Sequence, residues 1–126
     1  MNKLRVGFIR EIFGEKLKEK TILDVGCGGG ILAEGLARLG ASVTAIDPNQ
    51  HLLDVANKRK ERYQLENLNY FNFLIEDLQE IEQKFDLVVS SEVVEHVDSP
   101  WEFIAYASNL VKVCTQFQRY KGSKRV

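Results

Sequence analysis

Apolar positions along this chain switch repeatedly between helical spacing and short continuous runs. Leu4, Phe8, Ile12 and Leu17 recur at helical intervals, which predicts a helix over residues 2–20. Residues 21–25 form a short apolar strand that runs into Gly26. Residues 31–39 read as a helix with Ile31, Leu32, Leu36 and Leu39 on one side, ended by Gly40 as a C-terminal cap. Residues 42–46 give a second strand, closed by Asp47-Pro48. Residues 49 to about 64 give a helix with Leu52, Leu53, Ala56 and Tyr63 inward. Residues 69–74 are a third strand. Residues 85–90 are a fourth, nearly all apolar, as in a sheet covered on both faces. Residues 100–111 close the pattern as a helix carrying Trp101, Phe103, Ile104 and Leu110, with Trp101 and Phe103 most simply core residues. Alternating strands and helices imply parallel strands joined by right-handed crossovers, an α/β fold with a doubly wound, mostly parallel sheet.

The 126 residues suffice for one small domain. A hydrophobic content of 44% with 28% charged residues fits an ordinary globular chain, and a net charge of −1 argues against a general nucleic-acid binder. No run approaches the roughly 20 apolar residues that span a bilayer, and no signal peptide is visible. After Glu102 no acidic residue occurs, while Lys112, Arg119, Lys121, Lys124 and Arg125 are basic. Residues 1–112 therefore read as the domain and 113–126 as a basic, solvated tail. Cys27 and Cys114 make no CxxC pair, so a reducing compartment fits and Cys27 is given no reactivity.

Chemistry concentrates at residues 22–30, Ile-Leu-Asp-Val-Gly-Cys-Gly-Gly-Gly. Four glycines in five residues let the backbone turn sharply and press against a ligand, and the helix that follows points its free N–H groups at it. A dinucleotide turn needs a third glycine where Ile31 stands, which disfavours a nicotinamide enzyme. Asp47, at the end of the second strand, can accept both hydroxyls of a ribose, or can cap the following helix. Glu76-Asp77 follows the third strand, where Asp77 can accept from an adenine amine or simply lie in a solvated turn. His51 is read as a surface residue.

Glycines at 26, 28 and 30 with Asp24 ahead of them resemble motif I of class I S-adenosylmethionine methyltransferases. A more specific resemblance joins residues 23–34 to Ser90-Ser91-Glu92-Val93-Val94-Glu95-His96-Val97 and to the opening residues 1–10. Together they look like the O-methyltransferases of ubiquinone biosynthesis, over roughly residues 1–111. The resemblance implies a Rossmann-like methyltransferase fold and S-adenosyl-L-methionine as methyl donor. The implied substrate is a polyprenylated catechol or hydroquinone precursor. Carried over position by position, Arg5, Gly26, Asp47 and Ser91 match cofactor contacts, joined by Asp24, Gly28, Gly30 and Asp77 from the residue reading. Glu92, Glu95 and His96 match a divalent-metal site, with magnesium (Mg2+) the usual ion. Their spacing puts them on one face if the stretch is helical, and His96 can act there as ligand or as general base. The plain alternative is a pair of solvated carboxylates at a helix start. The family also implies peripheral membrane association, a quinone-biosynthesis complex and a mitochondrial inner-membrane, matrix-side location in a eukaryote, or a cytoplasmic one otherwise.

The family continues after Lys112 with Pro-Gly-Gly and another strand, to seven strands in all, whereas this chain reads Val113-Cys114-Thr115. The C-terminal strands, and with them much of the substrate pocket, are expected to be missing. The fourth strand is then expected at an open edge, with residues 113–117 a weak substitute partner. Two further classes stay open: a non-catalytic cofactor-binding module and, disfavoured, a nicotinamide enzyme.

Overall fold

A computed structural model describes residues 7, 11, 14–90 and 99–112. Its element order is β1 (Thr21–Val25), α1 (Ile31–Arg38), β2 (Ser42–Ile46), α2 (Gln50–Tyr63), β3 (Leu68–Phe71), β4 (Leu87–Val89) and α3 (Pro100–Leu110), with single 3-10 turns at Gly14–Glu19 and Ile75–Leu78. Among the described residues the sheet has four parallel strands in the order β3-β2-β1-β4. The chain winds outward from β1 to β3 and then returns to the far side of β1. That reversal makes β1 and β4 a topological switch point, at whose carboxyl ends α/β sheets take their ligands.

Period-2 alternation divides the core between the two sheet faces. Ile22, Val43, Ala45 and Leu87 pack with Leu32, Ala33, Leu36 and Ala37 of α1 on one face. Leu23, Val25, Ile46 and Val88 pack with Phe103, Ala107 and Leu110 of α3 on the other. Both faces are covered, which is why strands that short are nearly continuous apolar runs. α2 lies with α1. The Glu34 carboxylate, 5% exposed, takes Arg59 of α2 at 2.8 Å and Arg38 of its own helix at 3.3 Å.

Local chemistry sets the helix ends. Asn49 caps α2 by accepting the Leu52 N–H, and Ser99 caps α3 by accepting the Glu102 N–H ahead of Pro100 in the first turn. Several expectations are corrected. Residues 14–19 form a 3-10 turn rather than the end of an α-helix, although Gly7 and Glu11 are helical. In α2 the buried stripe is Leu53 and Ala56; Leu52 and Tyr63 are exposed, and the Tyr63 ring lies under the Arg38 guanidinium at 4.5 Å. Ile31 is exposed at the open start of α1. Trp101 is not core. The inward stripe of α3 runs through Phe103, Ala107 and Leu110, and Trp101 lies off it with 80% of its surface exposed.

Ahead of β4, and outside it, the chain makes an isolated bridge. Phe85 bridges Val111 in parallel, its N–H donating to Leu110 O at 2.7 Å while its carbonyl accepts from Lys112 at 2.9 Å. Residues 113–117 lie outside the described residues. Beside the bridge, Asp86 ties three segments together. Its carboxylate accepts from the Thr21 N–H at 2.8 Å and the Thr21 hydroxyl at 3.2 Å, and pairs with Lys112 at 3.3 Å.

Burial pushes the Asp86 carboxyl upward, but the Thr21 N–H, Lys112 and the Thr21 hydroxyl outweigh it and hold it below its ordinary value. A depressed folded-state pKa stabilises above the unfolded value of about 3.9 and is lost as pH falls through the lower folded value. Asp86→Asn is therefore expected to lower stability by about 1–2 kcal/mol at pH 7. In urea melts the gap to the unaltered chain should narrow steadily below roughly pH 4; a gap independent of pH would contradict this.

Candidate functional site

The turn after β1 is built by left-handed glycines: Gly26 has φ 75°, Gly28 56° and Gly30 85°. Side chains avoid this region, so the turn needs glycine at these positions for backbone reasons alone. Ile46 O at the end of β2 accepts both the Gly26 N–H (2.9 Å) and the Cys27 N–H (3.0 Å), which pins the turn onto the neighbouring strand. The Gly30 N–H then folds back onto Cys27 O at 2.9 Å. Gly30 caps α1 with no side-chain bond, which leaves the N–H groups of the first turn to solvent or to a ligand.

Two of these glycines have different neighbours. A Cβ on Gly28 would have nothing within 4 Å, so this part of the turn faces open space. A Cβ on Gly30 would run into the Tyr70 hydroxyl and come within 2.9 Å of its ring carbon and 3.0 Å of the Ala56 Cβ. Gly30 is thus required by the packing of β3 and α2 against the turn, and Gly28 is the glycine placed for close approach.

Asp47 follows β2 and is 8% exposed. One carboxylate oxygen accepts from the Gly28 N–H at 2.9 Å and the other from the Asn49 N–H at 2.8 Å. The helix-entry role and a role in the glycine turn are therefore both real. A carboxylate offers roughly four lone-pair directions, so capacity remains for two further donors.

The other sequence-picked residues fall in different settings. Asp24 lies within β1, opposite Ala45 and Val89, and is 1% exposed, so it stands behind the turn. Burial first, then the Asp24 and Asp47 carboxylates, push the Cys27 thiol well above its ordinary range, in keeping with an unreactive side chain. Burial likewise leads in raising Tyr70, with Cys27, Asp24 and Glu34 adding to it against Arg59. Asp77 uses one oxygen to accept the Leu74 N–H at 2.7 Å, which closes the 3-10 turn at Ile75–Leu78. His51 is exposed on α2. Arg5, Ser91, Glu92, Glu95 and His96 lie outside the described residues. Among the described residues no group of three or more His, Cys, Asp or Glu is placed to hold a metal ion.

Sequence reasoning missed Asn72. Its side-chain amide donates to Asp47 O at 3.1 Å and Pro48 O at 2.9 Å. The residue falls inside the run read as the third strand, and no local signal marks its contact with Asp47 and Pro48.

Comparison with known proteins adds the family context. The profile of a family described as a methyltransferase domain matches residues 23–114. A ubiquinone biosynthesis O-methyltransferase of Coxiella burnetii is 42% identical over 112 residues, covering 89% of this chain and 47% of the relative. The mitochondrial ubiquinone biosynthesis O-methyltransferase of Schizosaccharomyces pombe is 42% identical over 116 residues, covering 89% of this chain and 42% of the relative. The chain thus spans about half the length of the curated relatives it matches. Among solved structures, coclaurine N-methyltransferase bound to N-methylheliamine and SAH superposes with a TM-score of 0.76 at 20% identity, over 90% of this chain and 33% of that one. At that identity the likeness supports the fold alone.

Gly30→Ala is expected to lower stability by about 2–4 kcal/mol, from left-handed backbone strain plus the collision with Tyr70. Adding Tyr70→Phe should restore part of the loss, about 1 kcal/mol in a double-mutant cycle. Strict additivity of the two changes in thermal melts would contradict the packing role.

Proposed function

This chain belongs to the methyltransferase domain family, and on that premise we propose that it is the cofactor-binding half of an S-adenosylmethionine-dependent O-methyltransferase of ubiquinone biosynthesis. The observation that carries the reading is the Asp47 carboxylate, at the end of β2, held between Gly28 of the turn after β1 and Asn49, beside a glycine that opens on free space. The names of relatives 42% identical over 89% of the chain supply the reaction class.

The fit to the cofactor follows from these groups. The remaining lone pairs of Asp47 accept the two vicinal ribose hydroxyls. The Gly28 backbone admits the ligand without a side chain in the way, and the uncapped start of α1 presents N–H groups to it. The second oxygen of Asp77 serves the adenine amine, and Arg5 and Ser91 complete the contacts by resemblance. When bound, S-adenosylmethionine supplies an electrophilic methyl that moves from sulfonium sulfur to a substrate hydroxyl oxygen, with loss of the hydroxyl proton. The protein's share is to align the two partners and exclude water.

The substrate in this proposal is a polyprenylated catechol or hydroquinone. His96 would take the hydroxyl proton as general base, or with Glu92 and Glu95 would hold a magnesium ion, which would supply Lewis acidity toward the hydroxyl. That metal set rests on the resemblance. Location follows the relatives, of which those of Schizosaccharomyces pombe and Dictyostelium discoideum are named mitochondrial and others are bacterial. Among the described residues no helix is long and apolar enough to cross a membrane. Association with the inner membrane's matrix face, and with a quinone-biosynthesis complex, is proposed as peripheral.

Asp47→Ala is expected to weaken S-adenosylhomocysteine binding by tenfold or more, on the order of two charge-assisted hydrogen bonds; unchanged affinity in calorimetry would remove Asp47 from the site. Joining this chain to a relative's C-terminal half allows the second test. Alanine at Glu92, Glu95 and His96 together should spare S-adenosylhomocysteine binding and abolish magnesium-dependent methylation of a catechol. Surviving turnover would contradict the metal set, and a chimera without any turnover would favour the binding module.

A further inference from the structure

We propose that Asn72 is a positioning residue for the cofactor's ribose, acting through Asp47; the inference rests on the cofactor reading above. The β2–β3 ladder reaches its last rung where the Asp47 N–H donates to Phe71 O at 3.2 Å. Pro48 follows and has no N–H to continue it. At that point Asn72, an exposed residue, reaches its side chain across the strand end. Its amide nitrogen donates to two successive carbonyls, Asp47 O at 3.1 Å and Pro48 O at 2.9 Å. Both partners are acceptors, so only the nitrogen end can face them, and the orientation of the amide is determined.

The consequence reaches the site through one residue. The Asp47 carboxylate holds the Gly28 N–H on one side and the Asn49 N–H on the other. Its aim depends on how the Asp47-Pro48 peptides are tilted. Asn72 grips the carbonyls on both sides of Pro48 and so sets that tilt from the opposite strand. Without the grip the carboxylate still exists, but its free lone pairs no longer converge on two adjacent hydroxyls.

The test is calorimetric titration of the whole 126-residue chain with S-adenosylhomocysteine and with its 2′-deoxy analogue. Asn72→Ala should weaken S-adenosylhomocysteine about tenfold. It should also erase most of the unaltered chain's preference for the ribose form, which a purely structural role would leave in place. In the Asp47→Ala background the same change should add nothing further, because its effect runs through Asp47. If Asn72→Ala does not fold, Asn72→Ser, which keeps one donor, carries the same comparison with an intermediate loss. Unchanged affinity and unchanged ribose preference would overturn the role of Asn72, as would full additivity with Asp47→Ala. If the unaltered chain binds no S-adenosylhomocysteine, the cofactor reading fails and this inference with it. If it binds and only Asp47→Ala weakens it, the inference alone fails.

Discussion

One carboxylate holds together the loops that follow β1 and β2. The Asp47 side chain spans the Gly28 N–H of the turn after β1 and the Asn49 N–H at the entry of α2. Each contact satisfies a backbone donor at a strand end, where the ladder has stopped and the helix has not yet begun. Bonds to an ionised acceptor are roughly twice as strong as neutral ones. Because Asp47 is nearly buried, losing it would leave donors in a place where water is scarce. In the proposed function the same carboxylate is the acceptor for the ribose, so one group would serve architecture and binding.

The glycine turn separates two demands that a motif merges. All three left-handed glycines are needed by the backbone. Beyond that, Gly30 is filled from behind by Tyr70 and Ala56, while Gly28 has nothing in front of it. A side chain at the first would break packing, and a side chain at the second would project into open space. Cys27, between Gly26 and Gly28, has its thiol raised by burial and two carboxylates, so it contributes volume rather than reactivity.

Much of this was legible in the chain. β1 and β2 fall where the apolar runs and their stop signals put them, because Gly26 and Asp47-Pro48 are unambiguous breakers. α1 and α2 agree to within a residue or so, their starts marked by Gly30 and Asn49. β3 and β4 came out shorter than the apolar runs. Asn72 ends one by bonding across to Asp47 and Pro48, and Asp86 interrupts the other by turning to Thr21. Neither long-range contact has a local signature. Trp101 misled because hydrophobicity alone does not say which side of a helix is covered; the stripe through Phe103, Ala107 and Leu110 does. In the site, Asp47 and the glycines were readable from position, whereas the burial of Asp24 and the grip of Asn72 emerge only when strands are set side by side. The residues of the Ser-Glu-x-x-Glu-His stretch from Ser91 to His96 lie outside the described residues, so their roles rest on the resemblance.

The most direct measurement of the central claim is titration of the unaltered chain with S-adenosylhomocysteine and, separately, with NAD. A pocket built from Asp47 and an open Gly28, with Ile31 at the third dinucleotide position, predicts saturable binding of the first and none of the second. A folded chain that ignores S-adenosylhomocysteine, or that takes NAD equally well, would contradict it.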